Sequence, residues 1–270
     1  MSSDIITCAA NTTTGTVKES DLIIENGSRR IFGRLYLPEN GEPRASVILS
    51  HGYNGSHVDF ARECRALAGA GYLACAFDFC GGSAAGKSTG LKTTEMTLFT
   101  EKEDLLAVAE AISSRKEAAG KKLFLLGGSQ GGFVTALAAE ELKERVSEVV
   151  LYYPAFIIPE NWRDNYRTAE EIPEVTDFWG MKLGKNFFLS IRDFYTFDEI
   201  GSYAGPVLIL YGDQDPIVPM RAMEQAVKTY PDARLVVLPG EGHGFSPEGT
   251  ETVIREILDF LARAEGGMTN

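Results

Sequence analysis

The chain has 270 residues, 44% of them hydrophobic, and carries 26 basic against 38 acidic side chains, a net charge of −12. That length and apolar content suit one large α/β core, and the acidic balance argues against nucleic acid or an anionic membrane as a partner. The amino terminus, Met1-Ser2-Ser3-Asp4, lacks a basic start followed by an apolar stretch, no run approaches membrane-spanning length, and Cys8, Cys64, Cys75 and Cys80 fall at neither zinc nor disulfide-framework spacing. A cytoplasmic protein with free thiols and with no metal or cofactor is therefore expected.

In chain order, the first two strands are expected near Leu22–Glu25 and Ile31–Leu37, paired around the turn signal Glu25-Asn26-Gly27-Ser28. A third, Ser46–Ser50, runs into His51-Gly52-Tyr53-Asn54-Gly55, and a helical pattern follows over Val58–Ala70. The fourth, Leu73–Phe79, leads into Gly81-Gly82-Ser83-Ala84-Ala85-Gly86-Lys87-Ser88, which matches the phosphate-binding pattern G-x-x-x-x-G-K-S. That match requires a helix to begin at Lys87. The residues that follow have no apolar period, and the next helical pattern starts near Leu98 and runs to Ala119. The acidic runs Glu101-Lys102-Glu103-Asp104 and Glu140-Glu141 read as solvated helix faces.

The fifth strand, Lys122–Gly127, runs straight into Gly127-Gly128-Ser129-Gln130-Gly131 and a helical pattern over Gln130–Arg145. A serine on a strand-to-helix turn of this tightness takes a strained backbone that lifts its hydroxyl above the sheet, and side chains two residues before or after it would collide. Gly127 and Gly131 remove both. Such a hydroxyl needs a base, and the base an orienting acid. After the sixth strand, Glu148–Tyr153, the alternation stops from Phe156 to Phe197, where ten of the forty-two residues are aromatic, both tryptophans included. A stretch this long is usually functional; its aromatic residues are expected to form part of a substrate pocket, with Asp164, Asn165 and Tyr166 as candidate polar contacts. Its alternative is a satellite core. The seventh strand, Val207–Tyr211, precedes Gly212-Asp213-Gln214-Asp215-Pro216-Ile217-Val218-Pro219, in which two aspartates compete as the acid. A helix over Met220–Thr229, a strand over Arg234–Leu238, the loop Gly240-Glu241-Gly242-His243-Gly244 and a helix over Glu251–Ala262 complete the chain.

Together G-x-S-x-G, G-x-x-D-x-x-V-P and G-x-G-H resemble the α/β-hydrolase family of esterases, lipases and peptidases. That resemblance implies an eight-stranded, mostly parallel sheet flanked by helices, in a single domain over 1–270 with the cap at 156–197. It implies the order serine, acid, histidine: Ser129 as nucleophile, Asp215 as acid, with Asp213 a turn or supporting residue, and His243 as base. It implies an oxyanion hole made by the N–H groups of Gln130 and of Tyr53, the residue after His-Gly, and leaves His51 to shape that loop. The Asp78-Phe79-Cys80-Gly81 stretch matches the first half of the family's D-x-x-G-x-G-x-S segment, while Ser83 and Ala85 depart from the second. Length, cap position, H-G-Y-N-G and G-D-Q-D-P-I-V-P are similar to bacterial cinnamoyl (feruloyl) esterases. The expected function is a serine carboxylesterase for a small-molecule ester of a hydroxycinnamate or other small aromatic or medium acyl group. Alternatives are a monoacylglycerol lipase-like enzyme, an aminoacyl or dipeptidyl peptidase, or a ligand-binding receptor without turnover. A homodimer is compatible with the sequence.

Overall fold

The computed structural model describes residues 17–265; the readings made on Met1–Asp4 and Cys8 lie outside them. The described chain opens with an antiparallel hairpin, β1 (Val17–Asn26) and β2 (Arg29–Pro38), in register from Val17 opposite Pro38 to Asn26 opposite Arg29. The connection is the two-residue turn Gly27-Ser28, with Gly27 at φ 62°. Both strands run longer than their apolar cores predict. β1 is an edge strand whose first half, Val17 to Asp21, is exposed or half-buried, so polar residues dilute the strand signal there.

Next come β3 (Ser46–Ser50), α1 (Ala61–Gly69), β4 (Leu73–Phe77), α2 (Leu98–Ser113), β5 (Leu123–Gly128), α3 (Ser129–Leu142) and β6 (Glu148–Tyr152). After an insertion the chain resumes with β9 (Val207–Gly212), α7 (Met220–Thr229), β10 (Ala233–Leu238) and α8 (Pro247–Glu265). The main sheet has eight strands in the order β1-β2-β4-β3-β5-β6-β9-β10, and every pairing from β4 to β10 is parallel. Every residue of β3, β4, β5, β6 and β9 is buried. Parallel strands covered on both faces read as unbroken apolar runs, which is why these five are so plain in the sequence. Alternate side chains feed two cores. Ile48 and Leu125 face Leu105, Phe133 and Met223 of α2, α3 and α7, while Val47, Leu49 and Leu126 face Leu67 and Ile257 of α1 and α8. This is the α/β-hydrolase fold.

One expectation holds and one is overturned. The phosphate-loop match leads into no helix, as the missing apolar period after Lys87 implies: α2 begins only at Leu98, capped by reciprocal Thr97–Thr100 hydrogen bonds. Instead the loop is tied to the end of β4, with the Lys87 N–H donating to Asp78 Oδ2 (2.7 Å) and the Ser88 hydroxyl donating to Asp78 O. The Glu101–Asp104 run is not a solvated face. Glu101 is 1% and Asp104 0% exposed, because residues three apart share one side of a helix and here that side points inward. Asp104 accepts from the Cys80 N–H (2.8 Å) and pairs with Arg29 (3.0 Å). Glu140 is half-buried and accepts from Gly201 N–H and the Ser202 hydroxyl; Glu141 alone of that pair is exposed.

The insertion between β6 and β9 is ordered by elements the sequence does not announce: α4 (Ile158–Asn165), a two-stranded sheet of β7 (Val175–Phe178) and β8 (Met181–Gly184), α5 (Lys185–Ile191) and α6 (Thr196–Glu199). Trp179 and Gly180 form the β7–β8 turn at φ 44° and 79°. Phe156, Leu183, Phe187 and Phe188 belong to the same core cluster as α2 and α3, so the insertion is no separate satellite.

One glycine fixes how closely α3 approaches the sheet. A Cβ on Gly131 would overlap the carbonyl oxygens of Ser50 and His51 at the end of β3. Gly→Ala inside a helix normally stabilises by up to ~1 kcal/mol. Here Gly131→Ala is expected to destabilise by about 1–3 kcal/mol, the cost of overpacking against backbone, read as a lowered urea midpoint; an unchanged or raised midpoint would refute the close approach.

Candidate active site

Ser129 sits at the β5–α3 turn with φ 52°, a left-handed conformation that costs a non-glycine residue about 1–3 kcal/mol. The turn holds because its flanks are bare: a Cβ on Gly127 would strike Thr135 and the Gly131 carbonyl. His243 lies on the loop between β10 and α8, and its Nε2 is 2.9 Å from Ser129 Oγ. Its Nδ1 is 2.8 Å from Asp215 Oδ2. A carboxylate can only accept, so Nδ1–H donates to Asp215 and Nε2 is left to accept from the serine hydroxyl. Asp215 is held from its other side, Oδ1 accepting the N–H groups of Ile217 (2.8 Å) and Val218 (3.0 Å), and its side chain is wholly buried. The ring of Tyr153, itself at φ 35°, packs 4.5 Å from the His243 ring.

The two aspartates are thus separated by geometry. Asp213 accepts from the Gly240 N–H (2.7 Å) and from Gln214 Nε2 (3.2 Å), fastening the end of β9 to the loop that carries His243. Asp215 alone of the two meets the histidine.

Around Ser129 lie Gln130, in the first turn of α3, and Tyr53, both lining a cavity of about 490 Å³ that opens onto the serine. The amino end of a helix favours an anion. His51 keeps the Tyr53 loop in shape: its Nδ1–H donates to Gly52 O (2.7 Å) and its Nε2 accepts the Phe79 N–H (3.1 Å). Complete burial lowers the His51 pKa, so the ring stays neutral, as those two bonds require. Asp78 closes the neighbouring loop by accepting from both N–H and Nδ1–H of His57 (2.6 and 2.7 Å). On its far side the cavity is walled by Trp162, Phe178, Trp179 and Phe187 of the insertion and by Ile217 and Val218 beside the acid. Asn161, Asp164 and Asn165 supply its polar lining. Tyr166, expected among them, instead stacks on Trp162 at 5.9 Å between centroids. Among the described residues no group of three or more His, Cys, Asp or Glu side chains is arranged to hold a metal ion.

Sequence reasoning missed Glu101. Its Oε2 accepts from the Gln130 side-chain amide at 2.8 Å, so a buried carboxyl on α2 positions the residue that follows Ser129. Burial pushes this carboxyl up to about 8, the Gln130 hydrogen bond opposing and nearby Asp104 adding to the rise. The signal available was its spacing from Leu98 and Leu105, which puts it on the apolar side of α2. Its neighbours in a run of charges masked that.

A family model described as serine aminopeptidase, S33, matches residues 41–190, and one described as the alpha/beta hydrolase fold matches residues 180–250. Among solved structures, Est1E from Butyrivibrio proteoclasticus, determined with ferulic acid bound, is 27% identical with a TM-score of 0.79, over 90% of this chain and 98% of that one. Caffeoylshikimate esterase of Arabidopsis thaliana is 28% identical over 54% of this chain and 44% of its own. A putative carbamate hydrolase, RutD, of Caulobacter is 22% identical over 84% of this chain and 96% of its own.

Glu101 has a consequence for stability. A carboxyl whose pKa rises on folding contributes stability that is fully present below its ordinary value near 4.5 and is lost as pH climbs through about 8. Denaturation from pH 5 to 9 is therefore expected to show a fall in wild-type stability that is shallower in Glu101→Gln, which keeps the bond to Gln130 and carries no proton. Glu63, pushed up to about 7, contributes equally to both chains, so their difference isolates Glu101. Parallel profiles would contradict the assignment.

Proposed function

Because the chain belongs to the serine aminopeptidase S33 family of α/β hydrolases, we propose that it is a serine carboxylesterase working through an acyl-enzyme, with hydroxycinnamate or similar small aromatic esters as substrates. One observation carries the reading: an unbroken hydrogen-bond chain from Asp215 through His243 to Ser129 at the mouth of an aromatic cavity.

In the proposed reaction Ser129 Oγ attacks the ester carbonyl while His243 Nε2 takes the hydroxyl proton. Asp215 holds the ring in the tautomer that leaves Nε2 free and stabilises the imidazolium that forms. The carbonyl oxygen becomes an anion and is met by the backbone N–H groups of Tyr53 and Gln130, aided by the positive end of α3. His243 returns the proton to the leaving alcohol, and water, activated by the same imidazole, releases the acid. The cavity beneath the insertion suits a flat aromatic acyl group: Phe178 and Trp162 meet edge-to-face at 5.1 Å, and the Asp164 and Asn165 side chains offer partners for a phenol. The ferulic acid bound to Est1E supports the same acyl class. The name of the matching family favours a second reading, hydrolysis of aminoacyl amides, which aminoacyl anilides would test. Cys64, Cys75 and Cys80, all buried free thiols, support a reducing cytoplasm.

Ser129→Ala is expected to cost at least about 10⁴ in ester turnover and to abolish labelling by a fluorophosphonate, and Asp215→Asn about 10³–10⁴ by favouring the wrong tautomer. Asp213→Asn should cost far less, since it meets Gly240 rather than His243; the reverse order in steady-state assays would move the acid.

The acyl preference is tested separately. Trp162→Ala is expected to lower the ratio of kcat/KM for methyl cinnamate over methyl acetate by about tenfold, the burial of one or two carbons' worth of contact. A ratio that does not move would leave the insertion without a part in acyl selection.

A further inference from the structure

Ser129 borders a second cavity, of about 390 Å³, distinct in chemistry from the first. The acyl cavity meets the serine through Gln130; this one meets it through His243 and Gly244. That is the side on which His243 hands its proton to the departing group. One side of it is a run of aromatic rings in contact: Phe60 and Tyr152 stand 5.7 Å apart, Tyr152 and Phe245 5.2 Å, Tyr153 and Phe245 5.0 Å, all edge-to-face. Trp179, at the tip of the β7–β8 turn, borders both cavities.

Into this aromatic wall are set two carboxyl groups, Asp59 and Glu63, and no lysine or arginine lines it. Asp59 is exposed at the rim and accepts from the Ser56 N–H (3.0 Å). Glu63 is different. It is only 6% exposed, and burial pushes its carboxyl up to about 7. The carboxyl accepts from its own backbone N–H and feels the field of Arg62, but the Arg62 N–H groups are committed elsewhere, to Pro247 O (2.9 Å) and Glu251 (2.7 Å). A second group points the same way independently. The Tyr152 hydroxyl, on a residue 1% exposed and within the field of Glu63, has no hydrogen-bond partner. A buried phenol without a hydrogen-bond partner, and a buried carboxyl whose one nearby guanidinium is bonded elsewhere, are costly to leave so. Aromatic faces with an acidic group and no competing base are the surroundings that hold an ammonium group.

We propose that this cavity is the leaving-group subsite and that it receives a cationic one, an alcohol bearing an alkylammonium group. The inference rests on the esterase reading above. As Ser129 Oγ bonds to the acyl carbon and the ester C–O bond breaks, the departing oxygen takes its proton from His243 Nε2. The ammonium meanwhile lies against Phe60, Tyr152 and Phe245 with Glu63 as its counter-ion. Water then restores Ser129, and the products are the acid and the amino alcohol.

The test compares cinnamoylcholine with its uncharged carbon isostere, 3,3-dimethylbutyl cinnamate, so that acyl group and shape are constant and only charge differs. Assays at 0.5 M NaCl and pH 8 screen the general attraction of a chain of net charge −12 for any cation. The expected result is a kcat/KM ratio of about tenfold in favour of the choline ester, falling severalfold in Glu63→Gln. Tyr152→Phe serves as the second variant should Glu63→Gln not fold, and should also lower the ratio. Hydrolysis of both esters with a ratio near one would overturn the inference and leave the esterase reading standing. A high ratio untouched by either variant would also overturn it, since the cation would then be held elsewhere. If neither ester is hydrolysed, the esterase reading falls and the inference falls with it.

Discussion

The site depends on a turn that tolerates no side chains beside it. Ser129 can hold φ 52° only if β5 runs directly into α3, and that junction closes only because Gly127 and Gly131 let backbone meet backbone. The same approach sets the rest of the active centre. Gly131 lies against the last carbonyls of β3, so the helix that follows the serine is referenced to the strand that launches the Tyr53 loop. A strained residue persists where its surroundings over-determine it. Here those surroundings are two parallel strands, a helix and two bare positions.

Around this junction the protein buries carboxyl groups that position neighbouring segments. Asp78, Asp104 and Glu101 are all nearly inaccessible. Each accepts from a group that would otherwise wander: His57 and Lys87 N–H for Asp78, Cys80 N–H for Asp104, the Gln130 amide for Glu101. Burying an ion is unfavourable unless it is hydrogen-bonded or paired, and replacing such groups by apolar ones is often neutral for stability. Their yield is geometric: the segments after β3 and β4 are fixed beside the cavity that opens onto Ser129.

Much of this was legible in the sequence, for identifiable reasons. Strands buried on both faces cannot hide, and Ser46–Ser50 and Met220–Thr229 fall at their expected bounds because burial and turn residues coincide there. Ser129, Asp215 and His243, which the fold brings within hydrogen-bond reach of one another, each follow a strand, but strand position left Asp213 and Asp215 open and it was the resemblance of G-x-x-D-x-x-V-P to a family pattern that singled out Asp215. What stayed hidden had mixed signals. Glu101 and Asp104 stand in a run of charged residues, so their inward spacing was outvoted by composition. β7 and β8 are four residues each, and β7 alternates between exposed and half-buried positions, too short and too polar to show a period. The carboxyl of Glu63 was invisible for a further reason: what sets it apart is a cavity formed by α1, β6 and the loop after β10, segments far apart in the chain.

The tip of the insertion is not free of the sheet. The Tyr53 hydroxyl donates to Phe178 O (2.7 Å) and the Asn54 amide to Trp179 O (3.4 Å), so the segment that walls the cavity at Ser129 is laced to the loop beside the serine. Two stretches more than a hundred residues apart in the chain therefore hold each other in place. A recombination junction placed at the ends of the insertion would separate them, and a transplanted insertion would need a tyrosine at the corresponding loop position to seat. Substitution at Phe187, which lines the same cavity, removes neither bond of the lacing. New specificities in such a chain are more accessible by point substitution than by exchange of modules.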